Sequence, residues 1–483
     1  MDRFFDRRRR FTGQLGDGIA VIPASSVTIR NDDVMHPFRQ DSDFFFLTGF
    51  AEPDSVAVFD PGHEREPYVL FVRPRDPEDE AWNGRRAGVE GAIERYGADG
   101  AYPITELENQ LRDRVRGRST LYYAPGQARH DAMIQRVLGA ARKHGLRAGV
   151  TTPSHVIDPS LFLDEQRILK SPTEVEALRE ACRISAEGHI EAMRFSRPGM
   201  LEREVQAAVE FVFRSLGSER DGYPAIVASG PNAVILHYVD NDRRMAEGEL
   251  LLIDAGAEFD YFSADITRTF PVGASFSPPQ RGVYELVLAA QQNAIAASRP
   301  GTPLADLHDI AVGTITEGLI DLGVLPGPIE DAIRYGWYRE LFFHGTGHWL
   351  GMDVHDAGAY GLDGAARPIE PGMAFTVEPG IYVAPEKPVV TLAALEYDDN
   401  EQRKQSYLKG AAAYKRELAE RRASVPSIEH EVPAEFLGIG IRIEDDLLVT
   451  SDGSEILSAA VPSDPDSIER LCAERSRLPR LGS

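Results

Sequence analysis

Apolar runs that end in an acidic residue are the most informative pattern in this chain. The run Leu250–Ile253 predicts a buried strand, and it ends on Asp254. A turn with Gly256 follows, and a second strand-like segment carries Asp265. In a hairpin, both carboxylates could face one cavity, because side chains on one face recur with period two. Two buried carboxylates repel each other, which favours a bound cation, although Asp254 could also cap a turn and Asp265 be solvated.

The alternation of apolar and polar positions also predicts two domains, as expected for 483 residues. Residues 1–165 alternate strand-like and helix-like segments, which is typical of an α/β domain. Ser171, Pro172 and Glu174 then form a helix start with a capping box. In residues 166–483, the order helix, Arg-Pro-Gly, helix and strands occurs twice, which predicts a pseudo-symmetric α+β domain, although Arg-Pro-Gly could be an ordinary helix end. The expected helices run from Ser171 to Arg197, Leu201 to Leu216, Ser277 to Arg299 and Pro303 to Leu322.

Three further stretches place acids or histidines among apolar residues and glycines. They are His344 to Asp356 with His344, His348 and His355, Pro371 to Gly380 with Glu378, and Gly438 to Asp446 with Arg442 and Glu444. Imidazole binds transition metals and transfers protons near neutral pH. Any one of these residues alone is more often structural, but four such stretches in one domain indicate a metal site.

The candidate ligands are four carboxylates and one imidazole, with no thiolate: Asp254, Asp265, Glu378, Glu444 and one histidine. An oxygen-rich set of this kind suits Mn²⁺, Co²⁺, Zn²⁺ or Mg²⁺. Four negative charges favour two divalent ions over one. Sites with two ions roughly 3.5–4 Å apart are typical of phosphatases, nucleases and aminopeptidases.

Composition narrows the function further. The chain carries 52 basic and 76 acidic residues, a net charge of −24, which argues against nucleic acid and is compatible with peptide substrates and divalent cations. Only two cysteines are present, which fits a reducing compartment. We find no secretory signal and no apolar run long enough to span a membrane, so we expect a cytoplasmic protein without a membrane partner.

With these residues in place, the chain resembles the pita-bread metallopeptidases, and the Xaa-Pro aminopeptidase (aminopeptidase P) group most closely. The resemblance rests on the order Asp, Asp, His, Glu, Glu in the contexts IDAGAEFDYFSADITRTFPV, HGTGHWLGMDVHD, PGMAFTVEPGIYV and GIGIRIEDD. The segments Arg39–Phe50, Trp82–Arg86 and Ile235–Tyr238 fit as well. It implies an α+β fold, with a C-terminal pita-bread (creatinase/aminopeptidase-like) domain over 166–483 and an N-terminal α/β aminopeptidase P-type domain over 1–165.

The resemblance also implies an activity, which is metal-dependent hydrolysis of the Xaa-Pro bond that releases the N-terminal residue of a peptide. A water or hydroxide bridging two ions would attack the scissile carbonyl. Manganese is the family's usual ion, with zinc or cobalt possible. The implied partners are peptides with proline second and further copies of the chain in a dimer or tetramer.

The implied roles carry over residue by residue. Asp254 would bind one metal, His348 with Glu378 the other, and Asp265 and Glu444 would bridge both. The catalytic residues would be His344, His355 and Glu378, with Glu378 moving the proton, and the substrate-binding residues His237, His355 and Arg442. Thr267 would support the ligands. We also expect Tyr238, Trp349 and Tyr382 to form an apolar pocket for the proline ring.

One segment departs from the family pattern. About fifty residues, 385–434, stand where bacterial relatives have a shorter connection, and the charged part from Tyr397 to Arg422 predicts an exposed helix without an apolar stripe. An Xaa-Pro dipeptidase would share all five ligands and is the first alternative. A non-catalytic pita-bread binding module is the second, although such modules typically lack the ligands.

Overall fold

The computed structural model describes residues 3–273 and 275–479, and the chain divides into two compact units, Met1–Arg167 and Ile168–Ser483. The first unit is built around a mixed six-stranded sheet. The strands of the whole unit, six in this sheet and two in a separate hairpin, are β1 (Ile19–Pro23), β2 (Ile29–Asn31), β3 (Val34–Met35), β4 (Val56–Phe59), β5 (Tyr68–Val72), β6 (Gly100–Pro103), β7 (Thr120–Tyr122) and β8 (His155–Ile157). Its helices are α1 (Arg3–Thr12), α2 (Ser42–Thr48), α3 (Pro77–Asn83), α4 (Gly88–Tyr96), α5 (Leu107–Arg114), α6 (Ala128–Ala148) and α7 (Ser160–Arg167).

The large sheet of this unit has the order β6-β5-β4-β1-β7-β8, with β2 and β3 forming a separate hairpin. The pairs β1–β4 and β4–β5 are antiparallel. The pairs β5–β6, β1–β7 and β7–β8 are parallel. Every residue of β4 and β5 is buried. Their continuous apolar runs therefore mark strands that are covered on both faces.

The second unit surrounds several small sheets with long helices. The helices are α8 (Pro172–Phe195), α9 (Glu202–Ser215), α10 (Pro278–Ala297), α11 (Leu304–Asp321), α12 (Ile329–Arg334), α13 (Asp399–Lys409), α14 (Ala411–Ala423) and α15 (Pro465–Ala473). The four expected helices correspond to α8–α11. The expected capping box is present, since the Ser171 N–H donates to the Glu174 carboxylate at 2.5 Å. Among the described residues, every helix is too short or too polar to cross a bilayer.

The strands of the second unit are short and belong to several small sheets. They are β9 (Arg220–Asp221), β10 (Ile226–Ser229), β11 (Leu250–Asp254), β12 (Ala257–Phe259), β13 (Phe262–Ser263), β14 (Thr267–Pro271), β15 (Gly361–Leu362), β16 (Ala365–Ala366), β17 (Ala374–Val377), β18 (Gly380–Tyr382), β19 (Val389–Ala393), β20 (Ser427–Glu431), β21 (Gly440–Arg442), β22 (Asp445–Val449) and β23 (Ser454–Ile456). Three antiparallel pairings hold or flank the predicted acids: β11 with β14, β17 with β22, and β18 with β21.

The charged segment after β19 is not the single helix that its sequence predicts. It contains two helices, α13 and α14, which are separated at Gly410, where φ is +80°. A positive φ is easily adopted only by glycine, so the chain turns there. The antiparallel strands β19 and β20 enclose this helical pair, and Tyr414 is its buried side chain.

Candidate metal centre

The nine predicted site residues all line one cavity of the second unit, with a volume of about 1120 Å³. We call it the active-site cavity. The residues that the structure brings together here are Asp254, Asp265, His348, Glu378, Glu444, His237, His344, His355 and Arg442. Ligand atoms of Asp265, His348 and Glu444 lie within 4.8 Å of one another. A cation placed among them would therefore be within reach of all three side chains.

Asp254 and Asp265 reach the cavity from different kinds of backbone. Asp254 is the last residue of β11, as expected, but Asp265 lies in the connection between β13 and β14 and not on a strand. The expectation that a strand carries Asp265 is therefore wrong. Because β11 pairs directly with β14, the two carboxylates still meet. Gly256 permits this approach, since a Cβ there would lie 1.7 Å from the Ala264 carbonyl oxygen.

His348 is oriented by a backbone carbonyl. Its Nδ1 lies 3.1 Å from the carbonyl oxygen of Trp349, and because a carbonyl only accepts, Nδ1 carries the proton. Nε2 therefore faces the carboxylates, 3.3 Å from Asp265 Oδ2 and 3.7 Å from Glu378 Oε1. A second hydrogen bond that fixes the tautomer is typical of a metal-binding histidine.

Glu378 and Glu444 both lie at breaks between strands. Glu378 follows β17, and its N–H donates to the Thr346 carbonyl oxygen at 2.8 Å. Glu444 lies between β21 and β22, and its N–H donates to the Thr267 carbonyl oxygen at 3.0 Å. The Thr267 hydroxyl donates to Glu444 Oε2 at 2.6 Å. Thr267 thus holds Glu444 by both its backbone and its side chain.

The electrostatics of the cluster call for positive charge. Burial raises the pKa of Asp254, raises the pKa of Glu378 to about 7, and raises that of Glu444 well above its ordinary value. Burial alone would lower the pKa of His348, but the carboxylates of Asp265 and Glu378 outweigh it and raise the value to about 9. Three buried carboxylates and the half-buried Glu378 are costly together unless cations are bound. The donor set therefore fits divalent metal ions.

Arg442 links this acidic cluster to His344. It contacts Asp254 through Nη2, donates from Nη1 to the Tyr382 hydroxyl at 3.1 Å and from Nε to Thr267 Oγ1 at 3.0 Å. The Tyr382 hydroxyl in turn lies 2.9 Å from His344 Nε2. His344 Nδ1 lies 2.7 Å from the Gly345 carbonyl oxygen, so Nδ1 carries the proton and Nε2 accepts from Tyr382. Burial lowers the pKa of His344 to about 3, which keeps the ring neutral.

His355 and His237 occupy more accessible positions. Both are exposed at the wall of the active-site cavity. The His355 ring packs against the ring of His348, with centroids 4.3 Å apart. Partial desolvation of the ring in the cavity wall, together with the neighbouring His348, lowers the pKa of His355. The two exposed imidazoles are therefore placed to contact a molecule in the cavity.

The expected aromatic pocket is wrong. Tyr238, Trp349 and Tyr382 are buried and are not among the residues that line the active-site cavity. Tyr238 donates to Glu202 at 2.7 Å, and Trp349 stacks on Tyr360. Tyr360 is the aromatic side chain that reaches the cavity wall.

Two site residues escaped the reasoning from sequence. The hydroxyl of Tyr223 lies 2.5 Å from Asp254 Oδ1 and 2.6 Å from Asp265 Oδ1, so it joins both carboxylates. His308 lies on α11 and lines the cavity, with Nδ1 2.8 Å from Thr346 Oγ1. Tyr223 stands in a Gly-Tyr-Pro turn and His308 in an ordinary helix, and neither context carries a signal for metal chemistry.

Comparison with known proteins places this geometry in a family. Residues 176–451 match metallopeptidase family M24, and residues 4–122 match the aminopeptidase P N-terminal domain. A Xaa-Pro aminopeptidase of Haemophilus influenzae is 38% identical over 472 residues, which cover 97% of each chain. Human Xaa-Pro aminopeptidase 3 is 32% identical, with 96% of this chain and 83% of that one covered.

Solved structures agree with these matches. Aminopeptidase PepP of Pseudomonas aeruginosa is 41% identical, with a TM-score of 0.86 and 97% of each chain covered. Zinc-substituted Escherichia coli aminopeptidase P in complex with product is 37% identical, with a TM-score of 0.85 and the same coverage. The predicted fold class, an N-terminal α/β domain and a C-terminal pita-bread domain, is confirmed.

Proposed function

Because this chain belongs to metallopeptidase family M24, we propose that it removes the N-terminal residue from peptides whose second residue is proline. One observation carries the proposal: four carboxylates and His348 converge on a cavity that also holds three further histidines of the predicted set. The relatives named Xaa-Pro aminopeptidase, which match over nearly the whole chain, support the same substrate class.

We assign metal binding to Asp254, Asp265, His348, Glu378 and Glu444. Two divalent ions held there, which we propose to be Mn²⁺, would polarise the scissile carbonyl and lower the pKa of a shared water to make it a nucleophile. Tyr223 and Thr267 keep three of the five carboxylate and imidazole ligands, Asp254, Asp265 and Glu444, in place through their hydroxyls.

The remaining site residues act on the substrate. Glu378 accepts the proton of the nucleophile, and its Oε2 lies 3.7 Å from the protonated Nδ1 of His344, which favours the ionised form of the carboxylate. His355 donates a hydrogen bond to the carbonyl oxygen as its charge develops, and His344 supports the same step as a neutral ring held by Gly345 and Tyr382. His237 and His355 hold the peptide in the accessible part of the cavity, and Arg442 orients Asp254, which faces the substrate's amino group.

The Xaa-Pro bond poses a specific problem, because proline has no N–H and its ring fixes the backbone. An Xaa-Pro dipeptidase would need a cation for the carboxylate that follows proline. Arg442 is the basic residue closest to the ligands in sequence, and it is engaged by Asp254, Thr267 and Tyr382. We therefore propose that peptides of three or more residues are substrates.

The test compares Xaa-Pro dipeptides, Xaa-Pro-Yaa peptides and Xaa-Ala-Yaa controls with the Mn²⁺-loaded protein. We expect tripeptides with proline second to be cleaved at least as well as dipeptides and much better than the alanine controls. A preference for dipeptides of about ten-fold, or roughly 1.4 kcal/mol, would transfer the assignment to an Xaa-Pro dipeptidase. Metal binding without cleavage of any peptide would indicate a non-catalytic module.

The cellular setting is a further part of the proposal. Both cysteines, Cys182 and Cys472, are buried and free, which supports a reducing compartment such as the cytoplasm. Assembly into a dimer or tetramer stays a prediction from the family resemblance. Size-exclusion chromatography with light scattering would measure it.

A further inference from the structure

The segment that departs from the family pattern forms a wall beside the catalytic centre. A second cavity of about 740 Å³ is lined mainly by residues 397–418, and we call it the side cavity. It adjoins the active-site cavity, because five residues line both: His308, His344, Gly345, Asp399 and Arg403. The helices α13 and α14 therefore reach a surface that a peptide leaving the catalytic centre can contact.

The wall is tied to the catalytic domain at several points. The Trp337 indole N–H donates to the carbonyl oxygen of Ala393, the last residue of β19, at 3.0 Å. The Tyr397 N–H donates to the Arg334 carbonyl oxygen at 2.9 Å, and the Tyr397 ring packs edge-on against Tyr338. These contacts give α13 a defined position relative to the site.

The charge of the side cavity is opposite to that of the protein. Its charged lining residues are three cations, Arg339, Arg403 and Lys415, and one carboxylate, Asp399. His308 adds no charge near neutral pH, because burial lowers its pKa to about 4. A chain with a net charge of −24 thus presents a locally positive surface next to its active site. Such a surface attracts anions.

Asp399 organises two of these cations without neutralising them. It accepts from the Tyr397 hydroxyl at 2.6 Å and lies 2.7 Å from Arg403 Nε and 3.7 Å from Arg339 Nη1. The Arg403 side chain is still 70% exposed. Its guanidinium has five N–H donors, so donors remain for a ligand after the contact with Asp399.

We propose that the side cavity binds the part of a peptide that follows proline and selects a carboxylate there, through Arg403 and Lys415 with support from Arg339. This inference rests on the proposed function. An exopeptidase that cleaves the first bond must leave the rest of the chain outside the metal centre, and the adjoining side cavity receives it. The carboxylate can belong to an acidic side chain or to the free C-terminus, and aromatic residues such as Phe343 and Tyr407 border it.

The experiment measures kcat/KM for matched Xaa-Pro peptides with Mn²⁺ bound. One series moves a single Glu, paired with Gln, through positions three to six of C-terminally amidated peptides, and a second compares free and amidated C-termini. We expect a preference for the carboxylate form of roughly three- to ten-fold at one or more positions, as several partly exposed ion pairs act together. The preference should lie in KM and should shrink at high salt.

Variants assign the preference to the wall. Arg403→Gln and Lys415→Gln should each reduce the ratio of acidic to neutral peptides, and the double variant should bring it close to one. Arg403→Lys should retain part of it. Arg416→Gln is the matched control, since Arg416 follows Lys415 on α14 but is not among the residues lining the side cavity, and it should keep the wild-type ratio.

Equal kcat/KM for acidic and neutral peptides at every position would overturn this proposal while leaving the proposed function intact. So would a preference that survives in the Arg403→Gln, Lys415→Gln double variant. Failure to cleave any peptide of either series would overturn the proposed function, and this inference with it.

Discussion

Two histidines in one glycine-rich segment are prepared for different tasks by the carbonyl oxygens beside them. In His348 the Trp349 carbonyl holds the Nδ1 proton and leaves Nε2 facing the carboxylates. In His344 the Gly345 carbonyl also holds Nδ1, but Nε2 already accepts from Tyr382. Two imidazoles four residues apart therefore differ: one presents Nε2 to the carboxylates, as the proposed ligand must, and the other is a neutral hydrogen-bonding group.

This difference predicts separable effects on metal content and rate. His344→Ala should lower kcat by roughly a hundred-fold or more, the usual scale for a lost acid–base or oxyanion partner, with metal content close to that of wild type. His348→Ala should lose metal. Elemental analysis and steady-state kinetics measure both, with the exposed His144→Ala as control. If His344→Ala lost the metal and His348→Ala kept it, the two roles would be reversed.

His189 predicts a pH dependence of stability. It is fully buried, with Nε2 2.9 Å from the Ala255 carbonyl oxygen, and burial lowers its pKa to about 4. The unfolded chain takes up the proton near pH 6.5 and the folded chain only near pH 4, so stability falls as the pH drops between these values. The full loss is on the order of 3 kcal/mol.

The measurement is urea denaturation between pH 7 and pH 4.5 for wild type and His189→Gln, whose amide can still donate to Ala255. The variant should show a shallower fall in the free energy of unfolding over this window. His144→Gln, on the exposed face of α6, should behave like wild type. An unchanged slope in His189→Gln would contradict the assignment.

At the level of single residues, the sequence was most informative where chemistry interrupts an apolar pattern. Asp254, Glu378 and Glu444 stand out because an acidic side chain beside a buried strand is costly unless a cation or a hydrogen-bond donor compensates its charge. Tyr223 gave no such signal, because a tyrosine before proline is ordinary until the fold brings its hydroxyl to two carboxylates. Tyr238 was misjudged for the opposite reason, since closeness in sequence to His237 does not determine the side to which a ring turns.

At the level of elements, strand register explains why the acids meet. Asp254 pairs with Thr267, Val377 with Asp445, and Gly380 with Arg442. An isolated bridge between Thr267 and Glu444 joins the pairing that holds Asp254 to the pairings that flank Glu378 and Glu444. These pairings bring the acids at the strand ends to the active-site cavity. The helix pairs could be predicted because caps and glycine stops are local, whereas these pairings between distant strands are not.

The segment from His344 to Asp356 is itself anchored by a buried ion pair. Lys170 Nζ lies 2.8 Å from Asp356 Oδ2, and both side chains are 1% exposed. The Asp356 N–H donates to the Trp349 carbonyl oxygen at 2.9 Å. The pair therefore connects the start of the catalytic domain to the loop that carries His348 and His355.

Lys170→Met, which keeps an unbranched side chain one atom shorter and removes its charge, should cost about 3–5 kcal/mol of unfolding free energy. The control is Lys387→Met, whose partner Glu340 lies at 3.3 Å but whose side chain is 57% exposed. It should cost at most about 1 kcal/mol. Chemical denaturation measures the free energy of unfolding of both variants. Equal losses would show that burial does not make the Lys170–Asp356 pair more important for stability.

At the level of the whole molecule, acidity and the metal centre are connected. A net charge of −24 raises the local concentration of cations around the protein. Inside, burial raises the pKa of Glu378 to about 7 and also raises that of Asp254. Without metal, protons are the positive charge that the folded cluster takes up most easily. Metal ions and protons therefore compete for the same carboxylates.

This competition predicts how Mn²⁺ should stabilise the protein as the pH changes. Without metal, the folded-state pKa of Glu378, about 7, exceeds the unfolded value of about 4.3, so its contribution to stability is present below the unfolded value and lost as the pH rises through 7. Bound Mn²⁺ stabilises the ionised carboxylates, and it stabilises the folded chain by mass action. The rise in Tm on adding Mn²⁺ should therefore be small at pH 5.5 and larger at pH 8.

Two variants test whether this rise comes from the carboxylate cluster. Glu444→Gln, which removes one proposed bridging ligand, should show a smaller rise in Tm at every pH. Glu435→Gln, at an acid of the short turn that precedes β21, should match wild type. A rise in Tm that is independent of pH, or larger at acidic pH, would contradict metal binding by this carboxylate cluster.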